Sequence, residues 1–319
     1  MKRSIQAVVP GSTSNLGPGF DLFGLAVDLY LRVTVSIEGS FSMVGTAETE
    51  WIIDWQGEGS GPPAPVPLDD SNLVIQGLTR VWESAGLALD GTVEITGRSD
   101  IPVARGLGAS GAAIAAGLLA GSHLCEAEID EDELINLATA EEGHPDNVAP
   151  SLRGGLIAAA VMDDGEVFLH RGRLHENYLI GAVIPELALS TRLAREALPG
   201  QIPHLDAVRS QQRAFFLFHA LEQGWTERLE RLVRDTLHQP YRAKLIPAFH
   251  DLFDLAHQGG ADAVWLSGSG PTIIVLCDGT IDMVERVCDP LVERWAAEGI
   301  ASRAVVVGPD DLGGAVIEG

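Results

Sequence analysis

Residues Ile101 to Leu119 read Ile-Pro-Val-Ala-Arg-Gly-Leu-Gly-Ala-Ser-Gly-Ala-Ala-Ile-Ala-Ala-Gly-Leu-Leu, a glycine turn that opens into a helix of small apolar residues. Such a segment can cradle an anion. Gly106 and Gly108 lack a Cβ, so the chain can take positive φ and bring backbone N–H groups close to a phosphate. A helix starting near Ser110 would aim its unpaired first amides, and the positive end of its dipole, at the same point. The Walker pattern Gly-x-x-x-x-Gly-Lys-Ser/Thr is absent and the segment holds no lysine. The charge of a nucleotide would therefore fall to amides, Arg105 and a metal ion. The same residues also suit a tight turn ahead of a helix packed closely on a sheet, and the segment alone does not choose.

Two further segments place glycine and small polar residues where core would be expected. One runs from Pro10 to Leu25 as Pro-Gly-Ser-Thr-Ser-Asn-Leu-Gly-Pro-Gly-Phe-Asp-Leu-Phe-Gly-Leu, and the other is Leu266-Ser-Gly-Ser-Gly-Pro-Thr272. The elements that must position them follow from periodicity. Ile5, Ala7 and Val9 alternate as a strand ending at Pro10-Gly11, and residues 29–38 alternate as a half-buried antiparallel strand. The stretch 57–67, rich in glycine and proline, predicts a surface loop. Leu73, Val74, Leu78, Val81 and Trp82 have helical spacing, and Val93 and Ile95 mark a short strand before the glycine turn. Asp130 with Glu133 resembles a helix start, and that helix must end near His144-Pro145. The apolar run 156–162 is strand-like, and the boundary between two domains, 1–163 and 164–319, is set just after it. Beyond it, helices are expected over 207–221, 226–237, 245–257 and 283–297, with strands at 263–266, 272–277 and 304–307. This mixed order indicates an α+β architecture rather than a doubly wound Rossmann sheet.

A chain of 319 residues that is 46% hydrophobic suits two domains. Its formal charge of −24 excludes nucleic acid and anionic membranes as natural partners. The same charge repels a nucleotide triphosphate, so local arginines and a divalent cation would have to overcome the global field. No apolar run reaches the roughly 18 residues of a membrane span, and the N-terminus lacks an apolar signal core, so a cytoplasmic protein is expected. The three cysteines, Cys125, Cys277 and Cys288, are scattered and odd in number, which suits buried reduced thiols rather than disulfides or zinc.

Taken with Glu141-Glu-Gly-His-Pro-Asp-Asn-Val-Ala-Pro150, the three segments resemble the ordered motifs of the GHMP small-molecule kinases, and their wording is similar to the homoserine kinases within that superfamily. The likeness continues in Ser190-Thr-Arg-Leu-Ala-Arg195 and Leu237-His-Gln-Pro-Tyr-Arg-Ala-Lys-Leu-Ile-Pro247, so it spans nearly the whole chain. It implies a two-domain GHMP kinase fold: a ribosomal-protein-S5-like N-terminal domain (1–163) that binds ATP, and a ferredoxin-like C-terminal domain (164–319). The implied reaction is ATP-dependent phosphorylation of the side-chain hydroxyl of L-homoserine to O-phospho-L-homoserine, for threonine synthesis. A homodimer is compatible with it.

By family position the nucleotide loop comprises Pro102, Val103, Ala104, Arg105, Gly106, Leu107, Gly108, Ala109, Ser110 and Gly111. Asn72 is either an adenine contact or a helix cap. The resemblance assigns Mg²⁺ to Ser110 and Glu142, oxygen ligands of the kind magnesium prefers, with Glu141 as the adjacent competitor. Around the substrate it places Asn15 and Asp21 near the amino and hydroxyl groups, Asn147 in the same pocket, and Arg195 and Arg242 as a carboxylate clamp, work suited to a planar guanidinium fork. Thr191 is a candidate partner for the substrate hydroxyl or else a packed residue; His144 is read as structural. Two departures stand out: the family's usual Gly-Leu-Gly-Ser-Ser-Ala is here Gly-Leu-Gly with Ala109, Ser110 and Gly111. No lysine–aspartate pair of the kind other superfamily members use appears, so catalysis is read as positioning and charge neutralisation, with Asp21 as a general base the alternative. A mevalonate- or sugar-type kinase would not need two arginines and an aspartate around one small molecule. A non-catalytic sensor of the same fold would not need both Ser110 and Glu142.

Overall fold

A computed structural model describes residues 2–43 and 48–318. Strands β1 (Arg3–Ser14), β2 (Phe23–Met43), β3 (Thr49–Gly57), β4 (Leu87–Ser99), β5 (Leu156–Val161), β6 (Val167–Gly172) and the C-terminal β11 (Ala315–Glu318) form one sheet in which β11-β1-β2-β4-β3 lie side by side. β5 pairs with the Phe23 end of β2, and β6 pairs with β5. Alternation does place Leu31, Val33, Val35 and Ile37 of β2 in the core. β1 does not end at Pro10-Gly11; it runs on to Ser14 through a register shift at that point, which absorbs the proline that cannot donate to the ladder. This sheet takes in β6, which lies beyond residue 163, and the C-terminal β11.

Helices α1 (Leu73–Ser84), α2 (Ala109–Cys125), α3 (Glu131–Glu142) and α4 (Pro145–Arg153) belong with this sheet. α2 is built of small residues because it is buried on nearly every face and crosses α1 at glycine contacts. A Cβ at Gly117 would sit 2.2 Å from the Val74 carbonyl oxygen, and one at Gly77 would sit 2.5 Å from that of Ile114. Gly117→Ala, stabilising in an exposed helix, should here cost about 1–3 kcal/mol as α1 is pushed away, read as a lowered urea midpoint. Asp130 caps α3 through its Oδ1 on the Glu133 amide at 2.8 Å, as expected, and Gly143 ends the helix at φ 87°. The break at His144-Pro145 is real, but it opens a second helix, α4, with Pro145 in its first turn, where the missing N–H costs nothing.

The second sheet, β10 (Ser302–Val307), β7 (Tyr178–Pro185), β9 (Ile273–Asp278) and β8 (Ala263–Leu266), is antiparallel in that spatial order, the ferredoxin-like arrangement. Period-two alternation gives it two buried faces. Ile274 and Leu276 join the large core with α6 (His204–Gln223), whereas Ile273, Val275 and Cys277 face α9 (Phe249–Gly259) and α10 (Ile281–Ala297). Burial pushes the Cys277 and Cys288 thiols up to about 11 and about 12, so both stay protonated, and all three cysteines are free. The remaining helices are short: α5 (Thr191–Glu196), α7 (Leu229–Leu232) and α8 (Gln239–Arg242). The helix expected over 226–237 breaks after Leu232 because the Asp235 carboxylate takes the amides of Leu237, His238 and Gln239, offering the backbone an alternative to the helical ladder. The helix expected from 245 starts only at Phe249, since Pro247 holds Ile246 extended.

Candidate active site

One cavity of ≈ 280 Å³ lies between the two sheets. The glycine turn forms one wall. Gly106 and Gly108 take φ 78° and 71°, and a Cβ on them would stand 2.1 Å from the Ser267 carbonyl oxygen and 2.2 Å from Ser12 Oγ, respectively. Gly108 is the N-cap of α2 and no side chain caps that helix, so its first amides are unpaired, as a phosphate site requires. The third glycine-rich segment braces this turn: Ser267 Oγ donates to the Gly106 carbonyl at 2.6 Å, and the Gly268 amide donates to the Ser14 carbonyl at 3.1 Å.

Pro102, Val103, Ala104, Gly106, Gly108, Ala109 and Ser110 line the cavity, while Arg105, Leu107 and Gly111 do not. Leu107 is core. Gly111 admits α4, not a ligand: a Cβ there would lie 3.1 Å from Asn147 Cβ. Arg105 is the correction with most consequence. Its Nε donates to the Pro185 carbonyl at 2.7 Å and its Nη1 to that of Val103 at 3.0 Å, so it pins the turn to β7 rather than facing a phosphate. Asn72 lines the cavity but is occupied as the cap of α1, accepting from Val74 N at 2.9 Å and donating to the Pro67 carbonyl at 2.7 Å. Trp55 and Pro65, Val66 and Pro67 complete that apolar end, which sequence reading left unassigned. Ala109 also faces the cavity, and Ala109→Ser should tighten ATP by at most about tenfold, the range of one neutral hydrogen bond, measured as a dissociation constant at fixed free Mg²⁺.

Beyond the turn, Ser110 Oγ donates to Glu142 Oε1 at 2.5 Å, whereas Glu141 is exposed. Burial raises the Glu142 carboxyl above its ordinary range, against the pull of the Ser110 hydrogen bond and the His144 charge. His144 Nε2 stands 4.0 Å from Glu142, and its Nδ1 is 2.6 Å from Asp146. Burial alone would depress His144, but the Asp146 hydrogen bond and charge, with Glu142 and Asp21, outweigh it and raise its pKa. A desolvated carboxylate beside a hydroxyl, at the mouth of an anion cradle, fits a hard divalent cation. Asp21, His144 and Asp146 also bring ligand-capable atoms within 4.8 Å of one another. Those atoms are already paired, Asp21 with Arg195 and Asp146 with His144, so the trio reads as an ion-pair network.

The far end of the cavity carries the charges. Arg195 meets Asp21 in a two-toothed pair, Nη1 to Oδ2 at 2.9 Å and Nη2 to Oδ1 at 3.0 Å. Asn15 and Asp21 both take positive φ, 69° and 53°, and the loop holds itself by the Asp21 amide on Asn15 Oδ1 at 2.9 Å. Asn15 Nδ2 donates to the Gly268 carbonyl at 2.9 Å. Asn147 accepts from Ser12 Oγ at 3.0 Å and donates to Ser14 Oγ at 3.2 Å. Arg242 is buried, with Nη1 2.8 Å from the Gly268 carbonyl and Nε 3.3 Å from that of Ala194. Burial and the neighbouring Arg195 lower its pKa to about 10, so it remains a cation at neutral pH. Thr191, in the first turn of α5, is exposed and lines the cavity. Asp146, buried beside the expected Asn147, is a charged residue of the same motif to which sequence reading assigned no role; an acid directly after a proline, a pattern that also suits a helix start, was the available signal.

Two sheets with an uncapped helix N-terminus between them are the architecture of the GHMP class of small-molecule kinases, and the family matches place the chain there. The GHMP kinases N terminal domain family matches residues 72–155, and the GHMP kinases C terminal family matches 217–289. A homoserine kinase of Desulfitobacterium hafniense is 34% identical, over 98% of this chain and 100% of that protein. One of Leifsonia xyli is 42% identical, over 86% of this chain and 81% of its own. A crystal structure of homoserine kinase from Cytophaga hutchinsonii superposes with a TM-score of 0.85 at 27% identity, covering 99% of this chain and 98% of that one. The chain belongs to the homoserine kinase family of the GHMP kinases.

Proposed function

We propose that this protein transfers the γ-phosphoryl group of ATP to the side-chain hydroxyl of L-homoserine, giving O-phospho-L-homoserine for threonine synthesis. One observation carries the reading: a single cavity joins an uncapped helix N-terminus to a carboxylate and two guanidinium groups at its other end. Homoserine is an ammonium, a carboxylate and a hydroxyl on one short chain, and Asp21, Arg195 and Arg242 complement the two charges. Its entry exchanges the Asp21–Arg195 pair for substrate contacts, so little charge is left unpaired at either stage.

The α2 amides would hold the triphosphate, and Ser110 and Glu142 would hold Mg²⁺, which would supply neutralisation of phosphate charge when bound. Asn15 and Asn147, each fixed by hydrogen bonds, shape the pocket between cradle and charged end. Asp21, paired through both oxygens with Arg195 until homoserine enters, is then the electrostatic anchor for the substrate ammonium. A loose phosphoryl-transfer transition state asks mainly for alignment and charge stabilisation, which these groups provide. No helix among the described residues is long and apolar enough to cross a membrane. Measured by ADP release with ATP and Mg²⁺, turnover should be at least about tenfold faster with homoserine than with mevalonate or galactose, a difference of one desolvated charge contact. Equal turnover of an uncharged alcohol would reject the assignment.

A further inference from the structure

The buried imidazole of His238 takes no part in the chemistry above, yet it stands between two parts of the site. Its Nε2 is 2.9 Å from the carbonyl oxygen of Gly17, in the loop that carries Asn15 and Asp21. Its Nδ1 is 3.2 Å from Nη1 of Arg242. The ring stacks on Phe20 at 5.4 Å, and Phe20 in turn lies under both guanidinium groups, 5.7 Å from Arg195 and 5.3 Å from Arg242. The same loop packs tightly on Val233: Gly17, at φ 81°, comes so close that a Cβ would stand 2.1 Å from the Val233 carbonyl oxygen.

The partners dictate the tautomer. A carbonyl only accepts, so Nε2 carries the hydrogen; a guanidinium only donates, so Nδ1 must be bare. We propose that His238, as the neutral Nε2–H tautomer, is a positioning residue that holds the Arg242 guanidinium for the substrate carboxylate and ties it to the Asn15–Asp21 loop. The proposal rests on the homoserine reading for what Arg242 meets. The charged groups facing the ring are Asp235, 3.5 Å from Nε2, Arg242 and, farther off, Asp21. Burial first and then Arg242 lower the ring's pKa and keep it neutral, outweighing the upward pull of Asp235, which accepts three of the amides that follow it, of Gly17 and of Asp21.

His238→Gln keeps a donor near Gly17 but removes the acceptor from Arg242, whereas His238→Asn puts Oδ1 near the place of Nδ1. The glutamine variant should raise KM for homoserine about tenfold with KM for ATP within about twofold, the loss of one charge-assisted hydrogen bond, and the asparagine variant should recover most of that rise. Equal KM rises for both substrates, or equal behaviour of the two variants, would show a merely structural role and overturn the proposal. The tautomer is read separately on the wild-type protein by ¹⁵N NMR of the imidazole: an unprotonated Nδ1 from about pH 6 to 8 is expected, and a protonated one overturns the proposal even if neither variant folds. That measurement needs no substrate, so it stands apart from any failure of homoserine to be phosphorylated.

Discussion

Glu142→Gln should lower kcat about a hundredfold or more while the protein remains folded. The side chain keeps its shape and can still accept from Ser110, now 2.5 Å away, but the negative charge that would hold the proposed divalent cation is gone. Losing a group aimed at developing charge costs on the order of 10²–10³ in rate, because nothing else in a dry site replaces it. Glu141→Gln is the paired control. Glu141 is exposed on the last turn of α3 and should change kcat by less than about twofold, as surface substitutions do. Steady-state kinetics at saturating ATP and varied Mg²⁺ distinguish the two, and a reversed order would remove Glu142 from the metal site.

The second large effect is expected at Gly108→Ala, which should reduce kcat/KM for ATP by about a hundredfold. Two costs combine there. The residue holds φ 71°, where an L side chain is strained by about 1–2 kcal/mol, and its Cβ would stand 2.2 Å from Ser12 Oγ and 2.9 Å from the Ser12 amide nitrogen. Ser12 is itself bonded to Asn147, so relief displaces the start of α2, the pocket asparagine, or both. A displacement of about 1 Å at a phosphate-aligning terminus is enough for a loss of this size. Gly143 separates the two costs: it takes φ 87° with open space around its missing Cβ, so Gly143→Ala carries the strain without the clash. Its expected signature is a lowered melting temperature with kcat/KM for ATP nearly unchanged. Similar kinetic losses in both variants would mean that backbone strain, not the close approach at the cradle, is what the glycine serves.

Much of this site is legible in the linear chain because its chemistry is local. A cradle needs glycines in a turn and a helix directly after it, all within one stretch from Gly106 to Gly117, and alternation along β2 or the cap at Asp130 depends only on near neighbours. Period and capping therefore located most elements, and the motif wording located the family. α4 escaped because a proline read as a stop is equally a start. The helix over 226–237 was over-read because one carboxylate, Asp235, outbid the backbone for three amides.

What the tertiary structure decided is which partner each charged side chain takes. Arg105 stands inside the phosphate loop in sequence, yet its guanidinium turns to the Pro185 carbonyl of β7, 80 positions away. Asp21 and Arg195, 174 positions apart, close on each other, and His238 reaches back 221 positions to the carbonyl of Gly17. The third glycine segment, whose role the sequence left open, works as a brace beneath the cradle. Residue type and spacing determine what a side chain can do and which face of its element it occupies. The choice among possible partners is made only when two sheets pack and bury the groups together, since a buried polar atom must then bond to whatever that packing brings within reach.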